Sequence, residues 1–594
     1  MIKVSDFVIN FIADLGVKHI FMLPGGGCMH LVDSLGKNKR LQFICNLHEQ
    51  ASAIAAEAYG QYTNHLGVAL VTTGPGGTNT LTGVAGAWID STPMLVISGQ
   101  AKREDMLTGR GIRQMGIQEV DIIAVVSPVT KYAVTVMDPE LIKFHLQKAV
   151  YKAMNGRKGP VWIDMPLDVQ GAMVDENKLK EFKPPLLSNM TDKQMAGIAK
   201  KILDVLASSK RPVILAGNGI RLSNAMTESL KLFEKIGAPF LTTWKMTDFV
   251  PENHPLYCGR PGMVGQRGAN FTQQNTDCLL ILGARLDLCQ TGFNHPNFAK
   301  NARKIIVDID QKEIDKLDMK FELALSGDIA KVIKHCLNLS DKYRFDFSKW
   351  LSFCKGLHRK YPVILPEYKK SSGSVNTYHL LDVLSEILTS KDLIVPGSSG
   401  ACAELTQQAF KIKKGQRLLN TPGLGAMGFD LSAAIGACIA SGERRTIGIA
   451  GDGGFQMNIQ ELQTLKRLNL PIKMFILNNG GYGSIQAMQK NRFDGNYVAC
   501  NAESGLTLPD IVAVANAYGL KAVRIKDQSD LKKEIKKVID LNGPVICDVV
   551  VDPDVPTAPR LSSEVLPDGR IISKPMEDLW PFLSRDEFEK NMSI

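Results

Sequence analysis

Asp452 and Asn479 are the side chains whose types and surroundings point most directly to chemistry. Asp452 stands in Gly451-Asp452-Gly453-Gly454, and Asn479 closes the pair Asn478-Asn479. Both offer hard oxygen donors of the kind Mg²⁺ prefers, and Mg²⁺ usually completes its shell with water and substrate phosphates. Gly453 and Gly454 let a phosphate approach the backbone, and a helix starting there presents unpaired N–H groups to an anion. The pair therefore reads as a divalent cation gripping a diphosphate. The plain alternative is a tight turn beside an unrelated Asn-Asn loop.

The flanking elements favour the first reading. Residues 446–450 (TIGIA) and 472–477 (IKMFIL) are apolar runs suited to buried strands. Between them, 458–468 carries apolar residues at Ile459, Leu462, Leu465 and Leu468, the spacing of a one-sided helix. Strand, helix, strand implies parallel pairing through a right-handed crossover. Asp452 and Asn479 then lie just past the carboxyl ends of neighbouring strands, where open α/β sheets bind ligands.

Wider composition sets the frame. The chain has 594 residues, 44% hydrophobic and 22% charged, ordinary values for a globular protein of several domains. A net charge of +10 is modest for this length, and basic runs such as 532–537 (KKEIKK) are interleaved with apolar positions, so nucleic-acid binding is not expected. Eleven scattered cysteines with no C-x-x-C pair fit a reducing, cytoplasmic compartment. The N-terminal 1–21 reads as an amphipathic helix rather than a signal peptide. No run approaches the roughly 18 apolar residues a membrane span needs.

Three consecutive doubly wound, parallel-sheet α/β domains are expected. The first spans 1–185. A linker at 183–191 leads to the second, 190–340, and a charged aromatic stretch (341–350) precedes the third, 375–555. The first and third blocks are similar in size and style. A Pro-rich, charged tail, 556–594, is expected to lie extended on the surface or over a site.

The remaining motifs fall in one order. The first block holds Asn46-Leu47-His48-Glu49-Gln50, then 71–79 (VTTGPGGTN), then Ile97-Ser98-Gly99-Gln100; the third holds Gly423-Leu424-Gly425-Ala426-Met427-Gly428 before the Asp452 motif. Together they resemble thiamine-diphosphate enzymes of the acetolactate synthase type, over about 1–555, in the order pyrimidine, middle and diphosphate domains. The resemblance implies thiamine diphosphate and Mg²⁺ as cofactors. It makes Asp452 and Asn479 metal ligands with the Gly481 carbonyl. Gly451, Gly453, Gly454, Tyr482, Gly483, Gly397, Ser398, Ser399 and Gly425 would line the diphosphate, and Met427 would prop the cofactor's bent shape. Gly423-x-Gly425-x-x-Gly428 also fits a dinucleotide fingerprint, but 417–422 (RLLNTP) is a poor strand for one. On the pyrimidine side the resemblance assigns Thr73, Pro75 and Asn79. Glu49 becomes the catalytic carboxylate that shifts the aminopyrimidine towards its imino form, general acid–base work needing a group that can share the proton. Gln118 matches a glutamine near the reacting centre.

The middle block resembles the FAD-binding domain of these synthases through Gly217, Gly219, Gly283, Arg285, Asp308, Asp310 and Asp328, with FAD held structurally. The family also implies a homodimer or homotetramer in which Glu49 of one subunit faces the metal site of the other.

This chain departs from the family pattern in places. Met488 stands where these synthases carry a tryptophan that selects the acceptor, Ile117 replaces a phenylalanine, and Ser398-Ser399 replaces Gln-His; Ile117, Arg285 and Met488 are the expected acceptor pocket. The implied reaction is decarboxylation of a 2-keto acid, pyruvate first, and carboligation of the acyl carbanion to an acceptor carbonyl. Three acceptors stay open: a second keto acid, a nucleotide-activated keto sugar met by Arg560, Arg570 and Lys574, or a proton alone. The last is disfavoured because the paired histidines of pyruvate decarboxylases are absent. A catalytically silent scaffold is disfavoured because Glu49, Asp452 and Asn479 are all present.

Overall fold

The computed structural model describes residues 1–107, 109–185, 190–370 and 373–593. Part of the expected linker, 186–189, lies outside them. Three sheets of five or six strands are present among the described residues, and in each every strand pair is parallel. The first comprises β1 (His19–Met22), β2 (Gln42–Cys45), β3 (Gly67–Val71), β4 (Met94–Gln100), β5 (Ala133–Thr135) and β6 (Pro160–Pro166), in spatial order β2-β1-β3-β4-β6-β5. The middle sheet comprises β7 (Pro212–Ala216), β8 (Phe240–Thr242), β9 (Cys278–Leu282), β10 (Arg303–Asp308) and β11 (Leu323–Ser326), in order β8-β7-β9-β10-β11. The third comprises β12 (Leu393–Pro396), β13 (Arg417–Leu418), β14 (Thr446–Gly451), β15 (Ile472–Asn478), β16 (Lys521–Ile525) and β17 (Val545–Val550), in order β13-β12-β14-β15-β17-β16. Numbered within their own sheets, the first and third share the order 2-1-3-4-6-5. Central strands such as β4 and β6 are buried along their whole length, as sheets covered by helices on both faces require.

The chain forms two compact units, one of 1–186, 391–403 and 417–553, the other of 187–390, 404–416 and 554–594. In the first unit the two six-stranded sheets share one apolar core. At its centre helix α1 (Glu49–Thr63), which follows β2, packs against α2 (Phe429–Ala440), which follows β13. Both helices are rich in alanine, including Ala53, Ala55 and Ala56 on one and Ala433, Ala434 and Ala437 on the other, all fully buried. A Cβ at Gly436 would overlap the Ala55 carbonyl. The helices therefore meet backbone to backbone.

In the second unit the tail is part of the fold rather than an extended strip. Met576 and Leu579 are buried at 3% and 0% exposure. Arg267 donates to the Leu579 carbonyl at 3.0 Å and to that of Pro581 at 2.5 Å. The closing helix, Arg585–Met592, is fastened by the Asn275 amide donating to the Asn591 carbonyl at 2.9 Å. A short hairpin, Ser563–Val565 with Ile571–Ser573, lies largely exposed to solvent. No helix among the described residues is long and apolar enough to cross a membrane.

Candidate active site

β14 and β15 are neighbours, with Gly451 in register with Leu477, so Asp452 and Asn479 emerge side by side. Asp452 is 2% exposed. Its Oδ2 accepts the backbone N–H groups of Asn479 (3.1 Å), Gly480 (2.8 Å) and Gly481 (3.1 Å), and its Oδ1 that of Gly453 (2.7 Å). Burial pushes its carboxyl up to about 6 against those four donors. The inward end of the Asn479 amide lies 2.8 Å from the Gly481 carbonyl oxygen and 3.2 Å from Asp452 Oδ1. With its nitrogen inward the amide donates to both; with its oxygen inward three oxygens converge, an arrangement that a cation satisfies. One carboxylate, one amide and one carbonyl suit Mg²⁺ that takes its other ligands from phosphate and water. The residues present fit the metal.

Around this point four turns close a cradle. Gly400, at φ +61°, sits against Ser484, and Gly425, at φ +63°, against the Ser398 carbonyl. The Tyr482 ring covers Gly453. Helix α4 (Gly483–Arg492) starts beside them with no side-chain cap; the N–H groups of Gly483, Ile485 and Gln486 donate to the backbone carbonyls of Gly481 and Tyr482. Beneath, the Asp430 carboxylate lies beside Gly397 and Gly454; burial pushes it up to about 6. Met427 is 40% exposed at the rim.

Glu49 opens α1. His48 caps the helix by accepting the Gln50 N–H at 3.1 Å. Glu49 is 6% exposed, and its Oε2 accepts the Asn79 amide at 3.0 Å. Thr73 is buried with its hydroxyl unpartnered, while Pro75 and Asn79 lie exposed on the next helix. Gln118 is exposed, at φ +58°, with its carbonyl against Gly74. The neighbouring Glu119 fixes this loop: its buried carboxylate accepts the N–H groups of Leu107 (2.5 Å), Met115 (3.1 Å) and Gly116 (2.9 Å). Behind it, Asp164 is fully buried and pushed up to about 7 by that burial while accepting Ser98, Thr135 and Gln100. Nothing in the motifs singled out Glu119 or Asp164; Glu119's adjacency to Gln118 and Asp164's place at the end of a buried run were the available signals.

Among the described residues no hydrogen bond links Glu49 to Asp452, Asn479 or Gly481. Met488 is 39% exposed on α4, none of whose residues is buried, and Ile117 is 91% exposed.

In the second unit the expected flavin residues gather at the carboxyl ends of β7, β9, β10 and β11. A Cβ on Gly217 would overlap the Gly283 carbonyl, and Gly283, at φ +59°, lies on the Gly219 backbone. Asp308 is buried and accepts the Asp310 N–H at 3.0 Å. Asp310 and Asp328 cap helices through the N–H groups of Lys312 (3.1 Å) and Ala330 (2.9 Å), so part of their acceptor capacity is already used. Arg285 reaches Asp287 at 3.3 Å. Two of the three tail cations have partners of their own: Arg570 binds Asp568 at 2.7 Å, and Lys574 binds Glu564 at 2.5 Å.

Thiamine pyrophosphate enzyme models match as the N-terminal TPP binding domain over 2–125, the central domain over 199–336 and the C-terminal TPP binding domain over 398–549. The acetolactate synthase large subunit of Cyanidium caldarium is 34% identical over 563 residues, covering 93% of this chain and 94% of that one. A probable acetolactate synthase large subunit of Methanocaldococcus jannaschii is 33% identical, with 95% of each chain covered. The chloroplastic acetolactate synthase of Arabidopsis thaliana is 30% identical, over 96% of this chain and 85% of that one. On these three domain matches and this whole-length likeness, the chain belongs to the thiamine pyrophosphate enzymes of the acetolactate synthase type.

Proposed function

We propose that the protein decarboxylates a 2-keto acid, pyruvate first, and joins the two-carbon unit to an acceptor carbonyl, in a cytoplasmic homodimer or homotetramer. The convergence of Asp452 Oδ1, the Asn479 amide and the Gly481 carbonyl carries this reading. When bound, thiamine diphosphate supplies the carbon nucleophile and electron sink that the reaction needs. The protein's part is placement. Asp452, Asn479 and Gly481 hold Mg²⁺, and the turns at 397–400, 425–428 and 453–454 receive the diphosphate. Glu49 shares a proton through its carboxylate with the aminopyrimidine, and Asn79 fixes which oxygen faces away. Gln118 and Ile117, on the loop anchored by Glu119, and Met488 on α4 shape the acceptor side, where a flexible thioether leaves room that an indole would fill.

Incubation with pyruvate alone is expected to give acetolactate. Product that forms only after a nucleotide keto sugar is added would overturn the keto-acid acceptor; the internal pairing of Arg570 and Lys574 weighs against that outcome. Met488→Trp should narrow the acceptor range, lowering kcat/KM for 2-ketobutyrate more than for pyruvate by about tenfold, the scale of a methylene misfit.

FAD is the proposed ligand of the middle sheet, held structurally. The close-packed glycines at Gly217, Gly219 and Gly283 clear its strand ends as a dinucleotide diphosphate requires. Purified protein should be yellow and release FAD on denaturation; Gly283→Val should be colourless. Colourless wild-type protein with full activity would exclude a required flavin.

A further inference from the structure

The run that begins with Asp452 does more than carry the metal. It continues through a tight turn, Gln456–Asn458, into α3 (Glu461–Leu468). Each stage grips a different part of the first unit. Asn458, fully buried, donates its amide to the Gly428 carbonyl at 2.9 Å, next to Met427. Glu461, also fully buried, spans 415 residues of sequence to accept the Asn46 amide at 2.9 Å on Oε2 and the Leu47 N–H at 2.8 Å on Oε1. Arg467, on the same helix, donates to the Cys45 carbonyl at 2.6 Å. Cys45 ends β2, residues 46–48 form the turn into α1, and Glu49 is the first residue of that helix.

We propose that Glu461 is a positioning residue for Glu49, fixing its turn to the same rigid run that bears Asp452. This rests on the reading of Glu49 as the group that serves the aminopyrimidine. Both Glu461 oxygens are used, and the Thr464 hydroxyl also donates to Oε2 at 2.7 Å. The carboxylate therefore has no rotamer freedom with which to keep one bond and lose the other. Only a carboxylate accepts on both sides: an amide would turn an N–H₂ towards the Asn46 amide or the Leu47 N–H, leaving a buried donor facing a donor. A turn loosened by a fraction of an ångström would leave Glu49 in place on α1 yet misdirect its carboxylate, the kind of error that costs catalysis far more than stability.

The test is Glu461→Gln with two readouts. In cofactor-free protein, deuterium uptake by the peptide covering 46–52, measured by mass spectrometry, should rise at Leu47. In protein loaded with Mg²⁺ and thiamine diphosphate, exchange of the thiazolium C2 proton into D₂O should slow by about 10- to 100-fold, the range typical of lost supporting partners, while cofactor affinity stays within about threefold. Asn46→Ala, which removes one of the two donors and leaves Leu47 paired, guards against misfolding. It should slow C2 exchange less than Glu461→Gln, and the double variant should be no slower than Glu461→Gln alone. Unchanged C2 exchange with faster Leu47 uptake or a lowered Tm would make Glu461 merely structural and overturn the proposal. Wild-type protein that fails to accelerate C2 exchange would instead overturn the cofactor assignment.

Discussion

Glu49→Gln is expected to lower kcat by about 10²- to 10⁴-fold, the range that a positioned acid–base group supplies, while thiamine diphosphate binds within a few-fold of its normal affinity. The substitution keeps size and shape. Its carbonyl oxygen still accepts the Asn79 amide that now lies 3.0 Å from Oε2, and the helix cap made by His48 is untouched. What disappears is the capacity to take up and return a proton. The check is kcat beside a cofactor titration read by calorimetry. Near-normal turnover would remove Glu49 from the mechanism, and loss of binding without loss of turnover at saturating cofactor would make it a ligand only. Asn79→Ala should cost less, about tenfold, since it frees the carboxylate to rotate without removing it.

Asp452→Ala is expected to abolish the rise in Tm that Mg²⁺ and thiamine diphosphate give the wild type, an effect worth about 2.7 kcal/mol at a hundredfold excess over Kd. The cofactor-free variant should also melt below wild type. Two losses coincide in this one side chain. The proposed cation would lose the carboxylate among its three proposed protein ligands, and the N–H groups of Gly453, Asn479, Gly480 and Gly481 lose the acceptor on which their turn is organised. Each such donor left buried costs about 1–3 kcal/mol, less where water enters. Asp452→Asn separates the two effects. Its carbonyl can still accept from the turn, so Tm without cofactor should recover most of the way, whereas the response to Mg²⁺ should not. A variant Asp452→Ala that still shows a full cofactor-induced shift would remove Asp452 from the metal site.

The strands that lead into the candidate turns were legible in the sequence, because buried parallel strands announce themselves as apolar runs. The runs at 446–450 and 472–477 became β14 and β15 with their ends within a residue. The helix between them was less well placed: expected at 458–468, it begins as α3 at Glu461, and a separate helical turn already starts at Asp452. Polar residues within 452–458 hid that turn from a periodicity argument. The weak strand at 417–422 proved to be the two-residue edge strand β13. The tail misled for a related reason. Met576 and Leu579 are isolated among prolines and charges, so no period betrayed that they are buried. Glu461 was invisible for a different cause: its partners are 415 residues away, and one carboxylate on an amphipathic helix looks like any solvated charge until the fold brings Asn46 to it.

The matching strand order of the first and third sheets bears on ancestry. Two halves with one topology, joined through the helix that follows the second strand of each, are what gene duplication and fusion of a self-associating ancestor would leave behind. Equivalent turns now differ: the one entering α1 carries Glu49, and the one entering α2 carries Met427. Two unlike halves allow each copy its own task, under the proposed function proton traffic in one and the grip on phosphate in the other, which two identical halves could never divide.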